Sequence, residues 1–244
     1  MKYIYILKTG ETFSSIKNKN GDFDDWIVDF LGRTNKTIKV VSLKDNQKIP
    51  ALTSAAGFII AGSHSMVTNR SEEVILLEKY IRKIKNKNIP LLGICYGHQL
   101  IANALGGKSD YNKKGKEIGK RKIKIKNCLD KDNLLKGIAK QFYGFETHYQ
   151  SVLKLPRNAI TLASNFHDKH QAVRFSRSVW GVQFHPEFNK NIMKEYILNQ
   201  TNDLKKLGFN SKILLKNIDN CNMSNKILNN FLKIIEAKSF VTKR

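Results

Sequence analysis

The apolar positions of the first hundred residues follow two periods. Tyr3–Leu7 is a short continuous apolar run, the pattern of a buried strand. Beyond Asp22, the residues Phe23, Trp26, Ile27, Phe30 and Leu31 recur at i, i+3, i+4, i+7 and i+8. That spacing predicts a helix opened by Asp22 and stopped at Gly32. Ile38–Val41 predicts a second strand, and Gly57–Ala61, too apolar for an exposed edge, a third. Ser71 has the place of an N-cap, with Glu72 and Glu73 in the first turn. Val74, Leu77, Ile81 and Ile84 then mark one helix face. Pro90 leads into the buried strand Leu91–Ile94, and a helix from Tyr96 stops at Gly106-Gly107.

This order of strands and helices predicts an α/β fold with a mostly parallel central sheet flanked by helices on both faces. The middle of the chain changes character. Lys120–Lys126 alternates basic residues with Ile123 and Ile125, as an antiparallel strand with one wet face does. Short strands are expected near Val152–Leu155, Ile160–Ala163, Ala172–Phe175 and Val179–Phe184, forming a smaller antiparallel region. Asn191–Leu207 reads as a helix. The tail, Ser211–Arg244, carries further amphipathic stretches, including Ile227, Leu228, Phe231, Leu232, Ile234 and Ile235. The expected organisation is one domain over residues 1–205 and a helical extension over 206–244 packed on the same domain. That extension could cap the sheet, form a dimer interface or dock a partner.

Composition narrows the class. A hydrophobic fraction of 41% over 244 residues is that of a globular chain with its own core. No apolar run reaches the length of a membrane span, and the N-terminal run suits a first strand better than a signal peptide. Three widely spaced cysteines, Cys95, Cys128 and Cys221, form no disulfide framework or metal knuckle. A soluble, cytoplasmic protein is expected. The net charge of +23 comes from lysines scattered beside asparagines, as in Lys17-Asn18-Lys19-Asn20. No nucleic-acid motif accompanies it, so specific nucleic-acid binding is not expected. Attraction to anionic substrates or to an acidic partner stays open.

Leu91-Leu92-Gly93-Ile94-Cys95-Tyr96-Gly97-His98-Gln99-Leu100 carries the chemistry. A buried strand runs into Gly-x-Cys-x-Gly, and a helix follows. A sharp turn of this kind lifts a nucleophile out of the sheet, with small glycines where backbone crowds close. A helix N-terminus favours negative charge and offers a backbone N–H to a developing oxyanion. A buried structural cysteine is the plain alternative. A cysteine nucleophile needs a base. Among six histidines, His185 ends the strand Trp180–Phe184 and precedes Pro186-Glu187. Glu187 can fold back across the proline turn and orient the ring. His167-Asp168-Lys169-His170 lacks further ligands at metal-binding spacing and reads as a polar loop, and Lys113–Gly119 has no phosphate-loop pattern.

Gly93–Gln99 closely resembles the nucleophile signature of class I glutamine amidotransferases, and Gly181-Val182-Gln183-Phe184-His185-Pro186-Glu187 resembles their second signature. The resemblance spans roughly residues 1 to 205 and implies a flavodoxin-like α/β fold. It implies a triad of Cys95, His185 and Glu187 that hydrolyses glutamine to glutamate and ammonia, with no metal or organic cofactor. Gly57–Ser63 resembles the family's oxyanion strand, so the backbone N–H groups of Gly62 and Tyr96 are the expected oxyanion donors. The family usually has proline where this chain has His64, which is expected to be a bystander. Gln99 resembles a glutamine whose side chain helps hold the substrate. Glu146–Ser151 resembles the segment that binds the amino-acid head, with Tyr149 and Gln150 as candidates and His148 in a structural role. Gly21–Trp26 and Glu146–Ser151 look like stand-alone bacterial amidotransferases similar to the glutaminase half of GMP synthase. No Ser-Gly-Gly-x-Asp-Ser phosphate loop occurs in these residues. The implied partner is therefore a separate synthetase that accepts ammonia. Two other readings fit the same residues: a γ-glutamyl peptidase or hydrolase with this triad, and a non-catalytic docking or regulatory subunit.

Overall fold

The computed structural model describes residues 2–32, 34, 37–43, 48–126 and 132–241. Cys128 lies outside them. The strands are β1 (Tyr3–Lys8), β2 (Ile38–Ser42), β3 (Ala55–Ile60), β4 (Leu91–Ile94), β5 (Lys108–Tyr111), β6 (Glu117–Ile125), β7 (Gln141–His148), β8 (Gln150–Lys154), β9 (Ile160–Ser164), β10 (Ala172–Ser176) and β11 (Val179–Val182). The helices are α1 (Ser14–Asn20), α2 (Phe23–Leu31), α3 (Glu72–Asn86), α4 (Tyr96–Ala104), α5 (Lys190–Asn199), α6 (Thr201–Lys206), α7 (Ser211–Lys216) and α8 (Asn222–Val241).

One sheet runs β2-β1-β3-β4-β11-β10-β9-β6-β7. From β2 to β11 every pairing is parallel. From β11 outward the pairings are antiparallel. The expected antiparallel region is thus an extension of the parallel sheet, with β5 and β8 forming a separate two-stranded ribbon. Strand periodicity explains the layers: Ile4 and Ile6 pack into one core, Tyr5 and Leu7 into the other. A strand buried on both faces reads as a continuous apolar run, which is why β1, β3 and β4 are legible from sequence. Because β3, β4 and β11 are parallel, their C-terminal ends share one rim, the place where open α/β sheets hold ligands. Gly62, Cys95 and His185 follow those three ends.

Helix starts obey side-chain chemistry. Asp22 caps α2 in a capping box with Asp25, and Ser71 accepts from the Val74 N–H at the start of α3. Five elements depart from expectation. The expected helix Asn191–Leu207 is two helices, α5 and α6, meeting at Gln200. There Thr201 Oγ1 bonds the Ile197 and Leu198 carbonyls, a local back-bond that bends helices. The expected strand Val179–Phe184 ends at Val182, because the Gln183 N–H turns to Gln171 O and the His185 N–H to Phe145 O. Strands β5 and β7 and helix α1 have no counterpart in the sequence reading.

Helix α8 lies against the sheet on the α2 side. Ile227, Leu228, Phe231 and Ile235 are buried in the same core as Ile4 and Ile59. Its Asn230 side chain donates to the carbonyls of Leu134 and Lys136, and Asn225 donates to the carbonyl of Pro186. The C-terminal helix therefore reaches the turn that follows His185. No helix among the described residues is long and apolar enough to cross a membrane.

Candidate active site

Cys95 sits between β4 and α4 with φ +49° and ψ −100°. A non-glycine residue there carries strain of about 1–3 kcal/mol, and such strain clusters at functional sites. The flanking glycines are sterically required. A Cβ on Gly93 would lie 2.5 Å from the Gly97 carbonyl atoms, and one on Gly97 would lie 2.4 Å from Ile60 O. Both obstacles are backbone, which cannot swing away. Gly93→Ala is therefore expected to lose about 1–3 kcal/mol, the usual cost of overpacking. A urea midpoint equal to the parent's would contradict this account of the turn.

His185 stands at the neighbouring strand end. Its Nδ1 donates to Glu187 Oε1 at 2.7 Å, and both side chains are buried. The ring stacks on Phe188 at 4.2 Å between centroids, with Phe23 at 5.9 Å. Its Nε2 is buried and meets no other protein donor or acceptor among the described residues, and the Cys95 sulfur is the group that favours a proton there. Burial disfavours the imidazolium, but the Glu187 carboxylate and the Cys95 sulfur outweigh it and raise the His185 pKa to about 10. Gly62 closes over this pair: a Cβ there would lie 3.0 Å from His185 Cε1 and 3.1 Å from the Phe23 ring. Tyr96 opens α4, where the first backbone N–H groups have no acceptor inside the helix.

Gln99 and Gln183 tie the elbow to the opposite wall. Gln99 Nε2 donates to Gln150 O at 2.7 Å and to Gln183 Oε1 at 3.0 Å. Gln183 Nε2 in turn donates to Cys95 Sγ at 3.4 Å. The Gln150 side chain is engaged elsewhere: its Oε1 accepts from the Val67 N–H and its Nε2 donates to Thr68 Oγ1. Its carbonyl, rather than its side-chain amide, is what meets Gln99. Tyr149 lines the same cleft of about 220 Å³ as Cys95, Tyr96 and Gln99. His64, expected to be a bystander, forms part of the cleft wall, with Nε2 3.1 Å from Tyr196 Oη and its ring 4.4 Å from that of Phe13.

His148 belongs to the framework behind the cleft. Its Nδ1 faces Gln150 O at 2.9 Å, and its Nε2 faces Glu117 Oε2 at 3.1 Å and Glu146 Oε2 at 3.2 Å. The Gln150 carbonyl and two glutamate side chains surround the ring, an arrangement that favours its imidazolium form. Burial opposes that charge, but the two glutamates raise the His148 pKa well above its ordinary value. Burial and the nearby Glu117 charge likewise push the Glu146 carboxyl above the ordinary range. The three side chains bring one ligand atom each within 4.8 Å of one another. His98, one turn into α4, is fully buried and held neutral by burial, its pKa lowered to about 3. In the polar loop after β9, Asp168 Oδ1 accepts from the His170 N–H, and His167 Nε2 meets Gly115 O.

Two groups at the site are absent from the sequence reading. Gln183 sits inside the Gly-Val-Gln-Phe-His string, and full burial of a polar amide beside a candidate nucleophile is its signal. Lys116 lines the cleft, and nothing local in Lys113–Gly119 marks it out.

The family model described as glutamine amidotransferase class-I matches residues 16–204. The glutamine-hydrolyzing GMP synthase subunit of Sulfolobus acidocaldarius is 32% identical over 151 residues, 62% of this chain and 77% of that protein. Gamma-glutamyl peptidase 4 of Arabidopsis thaliana is 28% identical over 209 residues, 80% of this chain and 79% of the other. A solved glutamine amidotransferase from Thermotoga maritima superposes with a TM-score of 0.74 at 20% identity, covering 98% of each chain.

Proposed function

The chain belongs to the class I glutamine amidotransferases, and from that premise we propose that it hydrolyses glutamine to glutamate and ammonia through Cys95, His185 and Glu187. The observation that carries this reading is the 2.7 Å His185–Glu187 bond beside a backbone-strained cysteine. The Cys95 sulfur, its proton held by His185, attacks the side-chain amide carbon. The resulting oxyanion is received by the Gly62 and Tyr96 N–H groups. His185 gives its proton to the departing ammonia, leaving a thioester on Cys95. A water deprotonated by His185 then releases glutamate and restores the sulfur. Glu187 keeps the ring in one tautomer and stabilises its charge.

The test is release of glutamate from glutamine by the purified protein, with Cys95→Ser beside it. Release that survives the substitution overturns the assignment. The likeness to a γ-glutamyl peptidase over 80% of the chain supports a second reading, in which the leaving group is a conjugate amine. The triad and the thioester are the same in both. Cys95-dependent release from a γ-glutamyl dipeptide but not from glutamine would favour the second.

The likeness to one component of GMP synthase supports a further element: ammonia passes to a separate synthetase. A net charge of +23 suits an acidic partner surface. Such a partner is expected to co-purify at low salt and to be lost at raised salt. Equal recovery at both would remove the electrostatic part of the proposal.

A further inference from the structure

The cleft beside Cys95 has a built-in polarity. Of the charged residue types, its walls carry one lysine, Lys116, and two histidines, His64 and His148; no aspartate or glutamate lines it among the described residues. Lys116 is 8% exposed, unusually buried for a lysine. Its ammonium lies 4.1 Å from the centroid of the Tyr149 ring. Among the described residues, no carboxylate lies within ion-pair distance of it: the nearby Glu117 is bonded instead to His148, Asn165 and Gln171. A buried ammonium held only against an aromatic face has donors to offer.

The position is rigid. Glu117 opens β6 and pairs in register with His148 at the end of β7. The Glu117–His148 bond clamps that pair, so Lys116 and Tyr149, one residue further out on each side, are brought face to face. Cys95 reaches the cleft, and His185 is not part of its lining. The cavity thus reaches the sulfur without taking in the base. The leaving group must depart where His185 can protonate it. The acyl half of the substrate must therefore fill the cavity.

We propose that Lys116 binds the α-carboxylate of the substrate's glutamyl group, making the cleft selective for a free carboxylate on the acyl side. This rests on the proposed reading of Cys95 as the acyl-forming nucleophile. It holds equally for glutamine and for γ-glutamyl conjugates, since both carry the same acyl half. Tyr149 then acts as the platform that holds the ammonium over the cavity, by cation–π attraction.

The test separates binding from turnover. In a Cys95→Ala background, calorimetry compares glutamine with its α-carboxamide analogue. The expected result is a preference for the carboxylate of about tenfold or more, the size of one charge-assisted hydrogen bond. Adding Lys116→Met should abolish that preference, and adding Lys116→Arg should retain it. In the active enzyme, Lys116→Met should raise KM about tenfold with kcat within about threefold, as loss of uniform binding does. No carboxylate preference in the parent, or a preference that survives Lys116→Met, overturns the proposal. An unaltered melting temperature for Lys116→Met excludes misfolding as the cause. Absence of turnover in the native enzyme would count against the proposed reaction, while the binding comparison still reads Lys116 alone.

Discussion

Cys95→Gly yields a protein that hydrolyses no glutamine and melts at a higher temperature than the parent. Both halves follow from one torsion angle. Cys95 has φ +49°, a conformation open to glycine and strained for a residue with a Cβ. Glycine relieves about 1–3 kcal/mol of that strain. The substitution also removes the sulfur, and with it the proposed acyl-enzyme route. The rate should fall by on the order of 10⁴-fold or more, as it does when a nucleophile is deleted from a triad. Cys95→Ala separates the two effects: it is equally inactive, but it keeps a Cβ and so gains no strain relief. Steady-state glutamate release and thermal melting of the three proteins read the result. A glycine variant no more stable than the alanine variant would show that the elbow is not a reservoir of strain. A variant without sulfur that still turns over would remove Cys95 from the mechanism.

The elbow was legible because its parts are contiguous. Gly93, Cys95 and Gly97 stand within five residues, and each glycine is explained by a backbone atom that a Cβ would strike. The parallel strands were legible for a related reason: burial on both faces leaves an uninterrupted apolar run. Strand β7 was not legible. Its inward positions Phe142, Gly144, Glu146 and His148 are all buried, but two of them are ionisable. The period-2 signal reads apolarity, and here the interior side is completed by a Glu–His–Glu cluster that only the neighbouring strand β6 makes sense of. Helix α1 hides for the opposite reason: its seven residues bury only Ile16. Lys116 is illegible in principle. Its surroundings come from Tyr149 and Cys95, which adjoin it only through the sheet, so Lys113–Gly119 by itself looks like any basic loop. The Gln99–Gln183–Cys95 chain of hydrogen bonds also joins separate segments, although each glutamine lies in a recognisable string. Side chains that act with their own neighbours in sequence can be read there. Those that act across strands need the register.

Glu187→Gln is the variant that tests the electrostatics of the proposed triad rather than its presence. The Glu187 carboxylate is foremost among the groups that raise His185 to about 10. A glutamine side chain can still accept from Nδ1, so ring orientation survives while the charge is lost. The imidazolium is then less favoured, and the His185 pKa should fall by about 1–3 units, the usual effect of removing an adjacent opposite charge. In the proposed mechanism, His185 must carry a proton when ammonia departs. The basic limb of kcat/KM should therefore move from near pH 10 to lower pH by the same amount. At neutral pH the rate should drop by up to on the order of 10⁴-fold, the loss seen when a triad's orienting acid is neutralised. Stability follows the same sign. A histidine whose folded pKa lies above its unfolded value stabilises the fold fully below the unfolded pKa, and this contribution is lost as pH rises through the folded pKa. The parent's advantage over Glu187→Gln should thus be present at about pH 6 and fade as pH approaches about 10. The pH–rate profile and urea titrations at several pH values give both readings. An unmoved basic limb with an intact fold would mean that Glu187 only orients the ring, and that the Cys95–His185 pair holds its proton without help from the carboxylate.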